Sequence, residues 1–121
     1  MNKRRMNGNT LEIINGDSLI MSLSESLVDD EIHICVAGEI KNEVAHEFED
    51  ELMAAFSVRN VVKIDLSKAT YIASIAMKAL LSVQQIIDEN DDYSLVIVNL
   101  SKEVKEIFEA SGFLDILNIE E

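Results

Sequence analysis

VVKIDLSKATYIASIAMKALL, residues Val61 to Leu81, decides how this chain folds. Val61, Val62, Ile64 and Leu66 make an apolar run of strand length, and from Ala76 onward Leu80, Val83 and Ile87 recur at alternating spacings of four and three, the helical period. Ser74 stands where the strand and its turn give way to that helix. A serine there can cap the helix through its side-chain oxygen, and it also presents a modifiable hydroxyl to a helix end that attracts anions. On the residues alone both roles stay open.

Outward from this stretch the same punctuation repeats. Ser18 to Leu27 and Glu31 to Ala37 read as two strands around Val28-Asp29-Asp30, because Ile32, Ile34 and Val36 alternate with Glu31, His33 and Cys35. Leu11 to Ile14, before Asn15-Gly16, offers a short extra strand entering a tight turn. Asn42 is placed to cap a first helix that buries Ala45, Phe48, Leu52, Ala55 and Phe56, with Glu43, Glu47, Asp50 and Glu51 outside that face. Tyr93 to Val98 reads as a strand buried on both faces. Ser101 caps a third helix that buries Val104, Ile107 and Phe108 and stops near Gly112. The order predicts an α/β domain over residues 18–121: a mixed sheet of about four strands, helices packed mainly on one face, and right-handed crossovers. Residues 1–17 are expected as an N-terminal extension, either disordered or forming one short strand.

Composition restricts the function. The 121 residues are one domain's worth, and 48% hydrophobic with 27% charged residues supplies both a core and a solvated surface. A formal net charge of -13 argues against nucleic acid and anionic membranes, which require concentrated Lys and Arg. No apolar run approaches the roughly 20 residues that span a bilayer. Lys3, Arg4 and Arg5 are followed by a polar segment without the apolar centre of a signal peptide, so a cytoplasmic protein is expected. Cys35 is the single cysteine and no Cys/His spacing resembles a metal site. His33 and His46 lack the partners of a triad and read as structural or solvent-facing, Cys35 as core filling, and Asp65 as a side chain bonded to the following turn. The four glycines are not grouped into a phosphate loop. The expectation is a non-enzyme with no cofactor and no metal, whose acidic surface meets a protein partner.

Three pieces resemble a known family, the STAS domain of bacterial anti-sigma factor antagonists. They are Val36-Ala37-Gly38-Glu39-Ile40, then Ile64-Asp65-Leu66-Ser67 continuing into Tyr71-Ile72-Ala73-Ser74, and SKEVKEIFEASGF from Ser101 to Phe113. In the family's antagonists the helix junction usually reads Asp-Ser-Ser-Gly-Leu-Gly, and the first serine is phosphorylated by an anti-sigma factor that is itself a serine kinase. The resemblance places that serine at Ser74, with Ala73, Ile75, Ala76, Met77 and Lys78 where the family has Asp, Ser, Gly, Leu and Gly. It implies an anti-sigma factor partner, Ser74 as the phosphorylation candidate, and Gly38, Glu39, Ala73, Ile75 and Lys78 as partner-binding candidates. Lys78, one helical turn after Ser74, is placed to pair with a phosphate or a partner's carboxylate, and equally to extend into solvent. The alternative is an unphosphorylated interaction module docking constitutively on a regulatory or transport complex. Family members commonly carry a final helix after the Ser-Gly segment. Here that element is expected to be missing or a single turn, leaving Ile116, Leu117 and Ile119 exposed for pairing, with a homodimer as one outcome.

Overall fold

The computed structural model describes residues 2–120, and its strands lie side by side in the order in which the chain makes them. Strands β1 (Asn2–Asn7), β2 (Thr10–Asn15), β3 (Ser18–Val28) and β4 (Glu31–Ile40) form an antiparallel meander. Helix α1 (Ala45–Phe56) then leads to β5 (Val61–Ile72), α2 (Ser74–Asp88) to β6 (Ser94–Val98), and α3 (Lys102–Ser111) to the short β7 (Ile119–Glu120). The pairs β4–β5, β5–β6 and β6–β7 are parallel. The sheet is therefore mixed, as expected, but has seven strands among the described residues rather than about four.

The additional strands lie mainly in residues 2–15, where an extension with at most one short strand was expected. β2 carries the alternation that builds a strand, with Leu11 and Ile13 buried and their neighbours half-exposed. β1, Asn-Lys-Arg-Arg-Met-Asn, has no apolar alternation because it is the sheet's edge, where charged side chains discourage pairing with other molecules. Two-residue loops join the meander. Asp29 and Asp30 take φ of 51° and 67°, the two positive values of a type I′ turn, while Gly16 at 63° opens the loop that Asn15-Gly16 announced.

Alternation also builds the core. Ile32, Ile34 and Val36 of β4, Val62, Ile64 and Leu66 of β5, and Leu95 and Ile97 of β6 are buried. They pack beneath Phe48 and Leu52 of α1, Leu80 and Val83 of α2, and Val104 and Phe108 of α3. The opposite face of the sheet carries Glu31, His33, Cys35, Lys63 and Asp65, all half-buried. Cys35 is thus not core filling: it lies on the face the helices leave uncovered, where burial and the charge of Asp65 push its thiol up. β6 alternates too, with Val96 and Val98 half-exposed, so it is buried on one face and not on both.

Helix ends depart from expectation in two places. Ser101 caps α3 by accepting a hydrogen bond from the Val104 amide at 3.1 Å, and Gly112 ends that helix in the left-handed conformation. Asn42, however, caps nothing. It begins a single 3-10 turn (Asn42–Val44) ahead of α1 and makes no capping bond, because the chain leaving β4 must turn before the helix can start. Ser74 is not the cap of α2 either: Ala73 holds that position with extended backbone, and Ser74 is the first helical residue. At the other end of the chain a 3-10 turn (Phe113–Asp115) replaces a final helix. Pairing of β7 with β6 buries Leu117 and half-buries Ile119, leaving Ile116 the exposed one of the three.

Candidate functional site

Two main-chain irregularities lie on the way to Ser74, one between Asp65 and Lys68 and one between Ala69 and Tyr71 of β5. β5 slips against β4 between Asp65 and Lys68, and Asp65 pins the slip by accepting the Ser67 amide at 2.8 Å and an Asn99 side-chain N–H at 3.1 Å. Burial alone would raise the Asp65 carboxyl. The hydrogen bonds from Ser67 and Asn99 and the charge of Lys68 outweigh it, so the group lies below its ordinary value of 3.8. A carboxylate with a depressed folded value contributes stability that is present above the unfolded value and is lost as pH falls through the folded one. Asp65→Ala is therefore expected to cost about 1–2 kcal/mol at pH 7, with the difference from the parent closing below about pH 4. Urea unfolding at pH 7 and pH 3 checks this.

Beyond the slip β5 continues to Ile72, and the Ala73 amide donates to the Ile40 carbonyl at 2.8 Å. That bond fastens the start of α2 to the last residue of β4. The amides of Ala76 and Met77 both reach the Ala73 carbonyl at 3.0 Å, while Ala73 has no side-chain acceptor to offer the first turn. Ser74 thus presents its hydroxyl at a helix N-terminus beside the carboxyl end of a parallel strand pair, where backbone N–H groups and the helix dipole favour negative charge.

Around Ser74 the surface is partly apolar. Ile75 is 52% exposed and Tyr71 44% exposed, which gives the surface beside Ser74 its apolar part. Ser74 lies between two shallow depressions. One is lined by Glu39, Lys41, Asn42, Glu43, Thr70, Tyr71 and Ala73. The other includes Asn42, His46, Glu49, Ile75, Lys78 and Ser82. Glu39 and Lys41 form an ion pair at 3.0 Å, which raises the lysine's affinity for its proton. Lys78 is exposed and has no ion-pair partner among the described residues. His46 pairs with Asp50 at 3.2 Å on α1 and does not address Ser74. No set of three or more His, Cys, Asp or Glu among the described residues is arranged to hold a metal ion.

The six sequence candidates separate into two roles. Glu39, Ser74, Ile75 and Lys78 are exposed and share this end of the sheet. Ala73 is buried and acts through its backbone. Gly38 is half-buried with φ of 94°, and a Cβ there would run into the carbonyl of Ile20 on β3. Its backbone conformation and close approach to β3 position the exit of β4. Tyr71, Lys41 and Asn42 also belong to this surface, though the sequence reading makes none of them a partner-binding candidate. Tyr71 carries a readable signal, an exposed aromatic just before the helix, hidden because the apolar alternation of β5 ends at Leu66.

Comparison with known proteins agrees with this geometry. Residues 23–118 match the family described as Mlab, STAS domain. Over 101 residues the chain is 32% identical to BtrV of Bordetella bronchiseptica, assigned as an anti-sigma factor antagonist, covering 82% of this chain and 85% of that protein. The chain belongs to the STAS-domain family, and its relatives are anti-sigma factor antagonists. Among solved structures, an anti-sigma factor antagonist from Mycobacterium paratuberculosis superposes with a TM-score of 0.68 over 87% of each chain at 18% identity. Unphosphorylated SpoIIAA gives 0.66 over 82% of this chain and 88% of its own at 13% identity. The same Bacillus protein is known in a phosphorylated form, at 0.60 over 82% and 91% with 12% identity. At these identities the three structural likenesses speak for the fold alone.

Proposed function

We infer that the protein is a cytoplasmic anti-sigma factor antagonist: unmodified, it binds an anti-sigma factor with serine kinase activity, and phosphate on Ser74 breaks that complex. One observation carries this. Ser74 is an exposed hydroxyl at the first position of α2, fastened to the end of β4 and bordered by exposed Tyr71 and Ile75. A surface of this kind, apolar around a hydroxyl, docks a protein while dry and loses it when charged. Phosphate adds about -1.5 to -2 charge, which the helix N-terminus of the free protein accommodates and an apolar contact does not. That SpoIIAA exists in both forms supports carrying the switch over to this chain. That the relatives are anti-sigma factor antagonists supports reading the function as binding rather than catalysis.

Incubation with the cognate kinase and ATP is expected to retard the protein on a phosphate-affinity gel, and Ser74→Ala to abolish the retarded band. A retarded band that survives in Ser74→Ala, or none with the parent, rejects the switch. A constitutive docking module remains the second reading, favoured by the bulky Ile75 and Lys78 at the mouth. It would bind its partner equally as the parent, Ser74→Ala and Ser74→Glu.

A further inference from the structure

On the helix-bearing face of the sheet a groove opens between the N-terminal hairpin and the end of α1. Leu11, Leu23 and Ile32 make its floor. Three large apolar side chains stand along its rim: Met6 at 65% exposure, Leu27 at 57% and Val58 at 60%. Two carboxylates, Glu25 and Glu51, face into it. Arg4 neutralises Glu51 at 3.2 Å, whereas Glu25 has no ion-pair partner among the described residues. Burial, and then the charge of Glu51, push the Glu25 carboxyl above its ordinary range. A monomer gains nothing from a partly buried, unpaired carboxylate amid exposed apolar side chains, and the combination is complementary to an apolar group carrying a cation.

We propose that this groove is a second docking surface, which takes a segment of a protein partner presenting an apolar side chain next to a lysine or arginine. The apolar side chain covers Leu11, Leu23 and Ile32 between Met6, Leu27 and Val58, and the cation sits on Glu25. The overall charge of -13 steers such a basic segment toward the protein, and Glu25 fixes where it lands. The surface is made by the N-terminal strands and α1, so it works independently of Ser74.

The test is titration of the 15N-labelled full chain, in 150 mM salt, with an acetylated octapeptide alternating leucine and lysine. Two control peptides replace every lysine by glutamine or every leucine by glycine. Saturable amide shifts are expected at Met6, Glu25, Leu27 and Val58, with at least fivefold weaker binding for either control. Glu25→Gln and Val58→Ser, both changes at positions that make no core contact essential to folding, should each weaken the leucine–lysine peptide at least fivefold. Ser74→Glu should leave it unchanged, which separates this surface from the Ser74 switch. Shifts spread over the acidic surface, full binding in Glu25→Gln, or no saturable shift overturns the proposal. So does a protein that sediments alone as a dimer dissociated by Val58→Ser, because the groove's occupant is then a second copy.

Discussion

Ser74→Glu is expected to weaken binding to the cognate anti-sigma factor at least tenfold, about 1.4 kcal/mol or more, without weakening the fold. The two effects separate because of where the residue stands. At the first position of α2 a carboxylate meets the positive end of the helix, which stabilises by about 0.3–1 kcal/mol, so the free protein should melt at the parent temperature or slightly above. In the proposed complex the same charge would have to be desolvated against the partner surface that covers the exposed Tyr71 and Ile75. Ser74→Ala removes the hydroxyl without adding charge and, since Ser74 supplies no capping bond, should match the parent in both stability and affinity. Calorimetric titration of the three proteins, paired with thermal melts, checks both halves. If Ser74→Glu lost affinity only through unfolding, the melt would show it.

Gly38→Ala should have the largest effect on stability of any single change at this end of the sheet. Two independent costs meet in one residue. A φ of 94° lies in a region that side chains avoid, at about 1–3 kcal/mol. The added methyl also runs into the Ile20 carbonyl of the neighbouring strand, backbone that cannot step aside without disturbing the pairing of Met21 with Gly38. Together the loss should reach about 2–4 kcal/mol, lowering Tm by roughly 10 °C or more. Circular-dichroism melts measure it directly. A parent-like Tm would mean that Gly38 stands at the β4 exit for its partner contacts and not for the backbone.

What was legible in the sequence follows from how strongly each segment depends on its own residues. β4, the start of β5 and the three helices carry a burial period along their own length, and Ser101 and Gly112 mark the ends of α3 chemically, so these were readable. β1 could not be read in this way. Its existence depends on a partner strand 13 residues away at its outer end, Asn2 opposite Asn15, and an edge strand of Lys and Arg shows no apolar alternation. β7 is two residues long and exists through its pairing with β6. The continuation of β5 past Leu66 was hidden by the slip at Ser67, which breaks the alternation and is set by Asp65 and by Asn99, a residue 34 positions further on.

The candidate site was legible in address but not in division of labour. The sequence places Ser74 at the helix mouth, with capping and a modifiable hydroxyl as its two possible roles, and the capping role is the one the structure removes. The extended backbone of Ala73 makes that residue the cap and turns Ser74 outward as the first helical residue. Gly38 and Ala73 could be marked as family positions, but only packing shows that one protects a strand crossing and the other ties α2 to Ile40.

Control of docking by phosphate on Ser74 is the central element of the proposed function. The most direct measurement is the affinity of the cognate anti-sigma factor for the protein before and after kinase and ATP treatment, with phosphate located by mass spectrometry. A phosphate on Ser74 and at least a tenfold loss of affinity is the predicted result. Equal affinity for the two forms, or phosphate on another residue, would contradict it.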